Sequence, residues 1–256
     1  FNDDKTLDEI NDWVNKKTEE MIPEILDEIP ADAVMYLINA LAFEAEWEEM
    51  YGEYSVRENE FTKENGEKQK IQMMYSIESK YISDENAEGF IKYYKDGKYA
   101  FAVLKPKEGM SVAEYVETLN GEKLNQTLSE AQSISINAGL PKFETEYDTE
   151  MSEVLQEMGM TDAFDWRVAD FSRLGTYTVD GMNICINRVL HKTFISVTEQ
   201  GTRAGAATAV EMVAEGAMEI VEFKEVVLDR PFVYMLIDCK TNLPFFIGTM
   251  MNVNGD

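Results

Sequence analysis

One count limits the chemistry open to this chain. It contains a single histidine, His191, so any serine–histidine–carboxylate site would have to be built on it. Beside the apolar run KTFISV, a lone imidazole reads first as a hydrogen-bonded structural residue. One histidine and two distant cysteines, Cys185 and Cys239, offer no zinc cluster, and no metal or other cofactor is implied. The cysteines sit in the apolar runs NICIN and MLIDCK, which reads as buried thiols rather than a disulfide framework. Neither a GxxxxGK[ST] loop nor a GxGxxG turn is present, and EGFIKYYKDGKY is not spaced as a calcium loop. A carboxylate pair could serve glycoside hydrolysis, but among 49 acidic residues close pairs arise by chance. An acid/base hydrolase is therefore the weakest of the readings the residues allow, and the chain is not expected to be an enzyme.

The stretch Thr202–Ile220, TRAGAATAVEMVAEGAMEI, is of another kind. It follows Glu199–Gly201, and between Thr202 and Val210 its only ionisable side chain is Arg203. On composition alone it reads as an alanine-rich helix, since Ala is the best helix former. Its small side chains would equally suit a segment that must move without steric hindrance.

Around these residues lies a soluble, globular composition: 256 residues, 45% hydrophobic and 28% charged. Twenty-three basic against 49 acidic residues leave a net charge of -26. That field disfavours nucleic acid, heparin-like polyanions and anionic membrane surfaces as partners. No run approaches the roughly 18 apolar residues that a membrane span requires. The opening FNDDKTLDE has neither Met nor a signal-like apolar region, and it reads as the start of a piece of a longer protein.

The elements that must position the site follow from periodicity. Thr6-x-x-Glu9 has the form of a capping box, and Ile10, Trp13, Val14 and Met21 repeat at helical spacing, predicting a helix from about Leu7 to Met21. Ala33 to Phe43, AVMYLINALAF, is apolar almost throughout and predicts a strand covered on both faces, with Asn39 a buried amide. Asn65-Gly66 predicts a hairpin into IQMMY; YAFAVL and SISINAGLPKF read as strands. Ser111–Asn120 and Met151–Met160 read as short helices. The last third is strand-rich, and Asn242 with Pro244 marks a hairpin between FVYMLID and FFIGTMM. Scattered strands and short helices without βαβ alternation predict an α+β fold, and no linker divides the chain into domains.

HKTFISVTEQGTRAGAATA, read together with LDRPFVYMLIDCKTNLPFFIGTM, resembles the serpin family. NALAFEAEW matches the family's Asn-to-Trp segment, and INDWV, FTKENGEKQKIQMM, LPKFETEYD and MGMTDAFDWRVADFS agree in order. The resemblance covers essentially the whole chain and is that of an inhibitory, prokaryotic-type member. It implies the serpin fold, a large central β-sheet with further sheets and surrounding helices, as a single domain over 1–256. The family's early helices and first strands would then precede Phe1. It also implies an extracellular or secreted monomer that inhibits a serine protease as a suicide substrate. The protease cuts an exposed reactive loop, about 201–222, and the resulting acyl-enzyme is trapped as the loop inserts into the sheet.

Residue by residue, Glu199, Gly201, Thr202, Ala204, Ala206 and Thr208 match the hinge of that loop. Alternate residues from Thr202 would enter the core, and all are small. Arg203 departs from the family's usual acidic residue but would point outward. Asn39 and His191 match the shutter pair, expected to share a hydrogen bond, and Trp47 matches the breach tryptophan where insertion begins. The scissile bond falls within Val213, Ala214, Glu215, Gly216, Ala217 and Met218. A count forward from Thr202 places Glu215 before the bond and Gly216 after it, whereas a count back from Pro231 reaches Ile220. The absence of Arg or Lys between Ala204 and Val221 disfavours trypsin-like targets, and the small apolar neighbours favour an elastase-like one. The competing expectation is a non-inhibitory serpin acting as a binding module or chaperone.

Overall fold

The computed structural model describes residues 5–30, 33–176, 182–202 and 224–253. In chain order its elements are α1 (Thr6–Lys17), β1 (Tyr36–Ala42), β2 (Ala45–Glu46), β3 (Val56–Thr62), β4 (Lys68–Ser83), β5 (Ala87–Tyr93) and β6 (Tyr99–Pro106). Then come α2 (Val112–Glu117), α3 (Gly121–Ser129), β7 (Gln132–Pro141), β8 (Phe143–Glu150) and α4 (Ser152–Glu157). The chain closes with β9 (Arg188–Val197), β10 (Gly201–Thr202), β11 (Lys224–Val227), β12 (Phe232–Asp238) and β13 (Pro244–Met250). They fall into two compact units, Phe1–Phe43 with Glu146–Ile195 and Glu44–Thr145 with Ser196–Asp256.

In the first unit β1 runs parallel to β9, in unbroken register from Tyr36↔Arg188 to Ala42↔Phe194. Tyr36, Ile38, Ala40 and Ala42 pack against Val14, Ile22, Ile25, Leu26 and Leu190. The strand therefore alternates instead of being covered on both faces: Leu37 and Asn39 are exposed. The apolar run misled because small and aliphatic residues occupy both faces, while only one is packed on α1 and the segment after it. Helix α1 also stops earlier than its pattern suggested. Thr18 turns its hydroxyl onto the Val14 carbonyl (2.9 Å) and accepts the Ile22 N–H (3.1 Å). Glu19 and Glu20 then take positive φ, which ends the helix before Met21. The Thr6–Glu9 capping box does not form either, because Lys5 and not Thr6 occupies the N-cap, and its side chain does not cap the helix.

The second unit is built on an eight-stranded sheet in the order β11-β7-β4-β5-β6-β12-β13, with β3 also on β4. The Asn65-Gly66 turn joins β3 to β4, with Gly66 at φ 84. Asn242, at φ 56, turns β12 into β13, and Asp238 Oδ1 accepts the Lys240 and Thr241 N–H groups. One face of the sheet is closed by α2 and α3, whose Val112, Tyr115, Leu124 and Leu128 meet Ile82, Ile91, Leu104, Val233 and Met235. The helix expected over Ser111–Asn120 forms as α2, and α3 follows it as a second helix that the pattern did not announce. Ser111 and Glu114 form a complete capping box for α2, and Asn120 restarts the chain by capping α3. A further packed group is aromatic: Tyr234 lies among Phe101, Phe143, Phe232 and Phe246 at centroid distances of 5.5–6.3 Å. Among the described residues no helix is long and apolar enough to cross a membrane.

Candidate functional site

Thr202 is the residue on which the site turns. A threonine between a glycine and an arginine would ordinarily lie on the surface, yet its side chain is wholly buried. Two contacts explain this. β10 lies between two strands, with Thr202 opposite Val197 on β9 and opposite Ala45 on β2. Its Oγ1 shares a hydrogen bond of 2.6 Å with the Tyr94 hydroxyl, which satisfies a polar group that would otherwise be costly to bury. Burial pushes the Tyr94 phenol well above its ordinary pKa, so it is a neutral partner at any physiological pH.

Gly201 is required by close approach. A Cβ there would lie 2.0 Å from the Ala45 carbonyl oxygen and 2.8 Å from the Glu46 Cα, both backbone atoms. The segment before it, Thr198–Gln200, hangs by its carbonyls. The Trp47 indole N–H donates to Thr198 O, the Tyr51 N–H to Glu199 O and the Trp47 N–H to Gln200 O, each at 2.9 Å. Glu199 turns its carboxylate outward to Lys142 (3.0 Å), a half-exposed pair of modest energy.

Trp47 is itself fixed. It is 1% exposed, stacked on Tyr94 at 4.6 Å and 9°, and in edge contact with Phe101. Lys92 Nζ approaches the Trp47 ring to 5.5 Å and the Tyr51 ring to 4.5 Å. That ammonium is paired with Glu78 Oε1 at 2.7 Å.

The structure thus gathers Glu199, Gly201, Thr202 and Trp47 into one constellation. It places Asn39 and His191 as register partners on β1 and β9, Asn39 exposed and His191 half-buried. Among the described residues no hydrogen bond joins these two side chains. Ala204, Ala206 and Thr208, and the window Val213, Ala214, Glu215, Gly216, Ala217 and Met218, lie outside the described residues. The sequence reading missed Tyr94, Tyr51, Lys92, Glu78 and Lys142. The pair Tyr93-Tyr94 flanked by lysines was a visible signal, but nothing in it says which phenol faces Thr202.

This geometry is that of a known family. A family model described as Serpin (serine protease inhibitor) matches residues 1–253, and the chain belongs to the serpin family. Human Serpin B9 is 31% identical over 246 residues, covering 93% of this chain and 64% of its own length. A serpin-like protein of Thermococcus kodakarensis is 32% identical over 245 residues, covering 95% of this chain and 56% of its own. Among solved structures, the thermophilic serpin tengpin in its native state superimposes with a TM-score of 0.91 at 48% identity, covering 98% of this chain and 64% of that one. Tengpin in its latent state gives 0.77 at 41% identity, with 98% and 66% coverage. Human thyroxine-binding globulin, 21% identical with a TM-score of 0.83, shares the fold. The chain spans less than two thirds of the length of these relatives, and its mixed sheets and few helices are the α+β serpin fold.

Proposed function

We propose that the complete protein inhibits a serine protease by reactive-loop insertion, with the segment from Gly201 to about residue 222 as the loop. The observation that carries this reading is Thr202: buried, hydrogen-bonded and flanked by a strand on each side, it is the first rung of a strand that can lengthen. Ala45 and Val197 flank it in the same step that pairs Asn39 with His191. Each residue further into the loop moves one residue back along both neighbours. Ala204 and Ala206 would follow Thr202 with small side chains, and Thr208 would arrive between Asn39 and His191. Those two side chains then gain a hydroxyl to bond in the inserted state, a role for the shutter pair that requires no bond between them beforehand.

In this reading the two compact units act as one serpin domain, and the partner is a protease bound as a covalent acyl complex. The cut falls within Val213–Met218, with Glu215 before the bond by the hinge count. Val213, Ala214, Ala217 and Met218 suit an elastase-like pocket.

The test is incubation of the full-length protein with elastase, a Glu-specific protease and trypsin, followed by denaturing gels and mass spectrometry. A denaturant-stable adduct and a released peptide starting within 214–219 are expected. Thr202→Arg forces a charge into a wholly buried position and should turn the inhibitor into a substrate: cleavage at the same bond with the adduct lost. Cleavage of the wild type without adduct overturns the inhibitory reading and leaves a binding serpin.

A further inference from the structure

Lys92 is the anomaly of the second unit. It sits on β5, is 2% exposed, and points its ammonium among aromatic rings. A buried charge is tolerated only when paired, and Glu78 Oε1 on β4 lies 2.7 Å away. Glu78 is in turn held by the Ser76 hydroxyl, which donates to the same Oε1 at 2.6 Å. Buried ion pairs of this kind contribute little to global stability compared with an apolar replacement, and their best-attested use is to fix one arrangement among several. The arrangement at stake here is defined by what the ammonium touches. Its two rings, Tyr51 and Trp47, belong to the residues whose N–H groups hold the carbonyls of Thr198, Glu199 and Gln200.

We propose that the Lys92–Glu78 pair is a positioning device for the hinge: the paired ammonium locks Trp47 and Tyr51 in place, and these keep Thr198–Gln200 docked until the loop is cut. The inference rests on reading Gly201–Thr208 as an insertion hinge, but its mechanical half stands without any protease. An unlocked pair of rings lets their N–H groups leave the carbonyls more often, so the root of the hinge opens more frequently. Glu78 supplies the direction, since it draws the ammonium along β5 to a point where both rings can share it.

The experiment is hydrogen exchange on the full-length protein without protease, comparing wild type with Lys92→Met/Glu78→Gln. The double substitution removes both charges at similar volume, so no unpaired charge is left to unfold the chain. The Trp47 indole and the Trp47 and Tyr51 amides should exchange at least about tenfold faster, as loss of a desolvated cation–π contact implies. The amides of Leu124 and Leu128 in α3 should be unchanged. Unchanged exchange at Trp47 and Tyr51, or equal acceleration in α3, overturns the proposal, the first showing an inert pair and the second a general loss of stability. Adduct formation is scored separately. A wild type that forms no adduct defeats the inhibitory reading without touching the exchange result.

Discussion

Replacing Gly201 by alanine should undock β10 from β2, and the size of the effect can be worked from contacts. The new methyl carbon would lie 2.0 Å from the Ala45 carbonyl oxygen, where a comfortable carbon–oxygen contact is about 3.3 Å. Neither atom belongs to a flexible side chain, so β10 has to retreat from β2 by about 1 Å. That movement breaks the Gly201↔Glu46 and Thr202↔Ala45 pairing and stretches the 2.6 Å bond between Thr202 and Tyr94. Two or three hydrogen bonds at about 1 kcal/mol each give a loss of about 2–3 kcal/mol. The opposing gain, a less flexible unfolded chain, is about 0.4–1 kcal/mol, and the clash wins. The opening equilibrium of the β10 segment should rise by about 10- to 100-fold. Trp47 reports it directly, because its indole N–H is bonded to Thr198 O. The other tryptophans, Trp13 and Trp166, are 55% and 44% exposed, so three well-separated indole signals suffice. Exchange at the Trp47 indole should accelerate by that factor while the other two keep their rates. A Trp47 rate within about threefold of wild type would show that close approach at Gly201 does not hold β10 against β2.

Two further perturbations test the frame on which the site is hung. Lys105, almost fully buried, donates to Val227 O at 2.6 Å and lies 3.5 Å from Asp229 Oδ1, fastening the four-residue strand β11. Lys105→Met leaves that carbonyl unsatisfied at about 1–3 kcal/mol, read as faster exchange of the Leu228 amide, which is bonded to Gly139 O. Burial holds the Lys105 ammonium below the usual lysine range against the pull of Asp229. The unfolded chain therefore binds more protons between the folded and unfolded values, and this contribution to stability rises with pH through that alkaline window. The methionine variant should flatten the rise, and an unaltered profile would refute the assignment. Burial alone would raise the Asp84 carboxyl, but N–H bonds from Asn86 and Ala87, the Lys123 ammonium and the Tyr115 hydroxyl together hold it low. Its stabilisation is complete above the ordinary aspartate value and is lost as pH falls through the depressed one. Asp84→Asn should cost about 1–3 kcal/mol in urea unfolding at pH 7 and progressively less in acid; a constant difference across that range would sink the claim.

Much of this protein is legible in one dimension. The hairpins at Asn65-Gly66 and Asn242 are written in residues that accept positive φ, and β12 in a continuous apolar run, because turn chemistry and burial on both faces are local demands. The small side chains after Thr202 and the single histidine carried the family resemblance for the same reason: identity and order are all a motif needs. Ends of elements were less legible. Thr6–Glu9 and Ser111–Glu114 have the same capping pattern, and only the second closes, since a cap depends on where the preceding backbone enters the helix. Both faces of β1 read as apolar, and packing on α1 chose between them. The surroundings of Thr202 lay further still from view. Thr202, Tyr94, Trp47, Lys92 and Glu78 are scattered over more than a hundred residues, and nothing local distinguishes Tyr94 from Tyr93 or Lys92 from an exposed lysine. Sequence determined the order of residues around Thr202 and the family motif they form. Tertiary structure alone decided what holds Thr202, because a buried hydrogen bond or ion pair is a relation between distant residues, created only when the fold removes both from water.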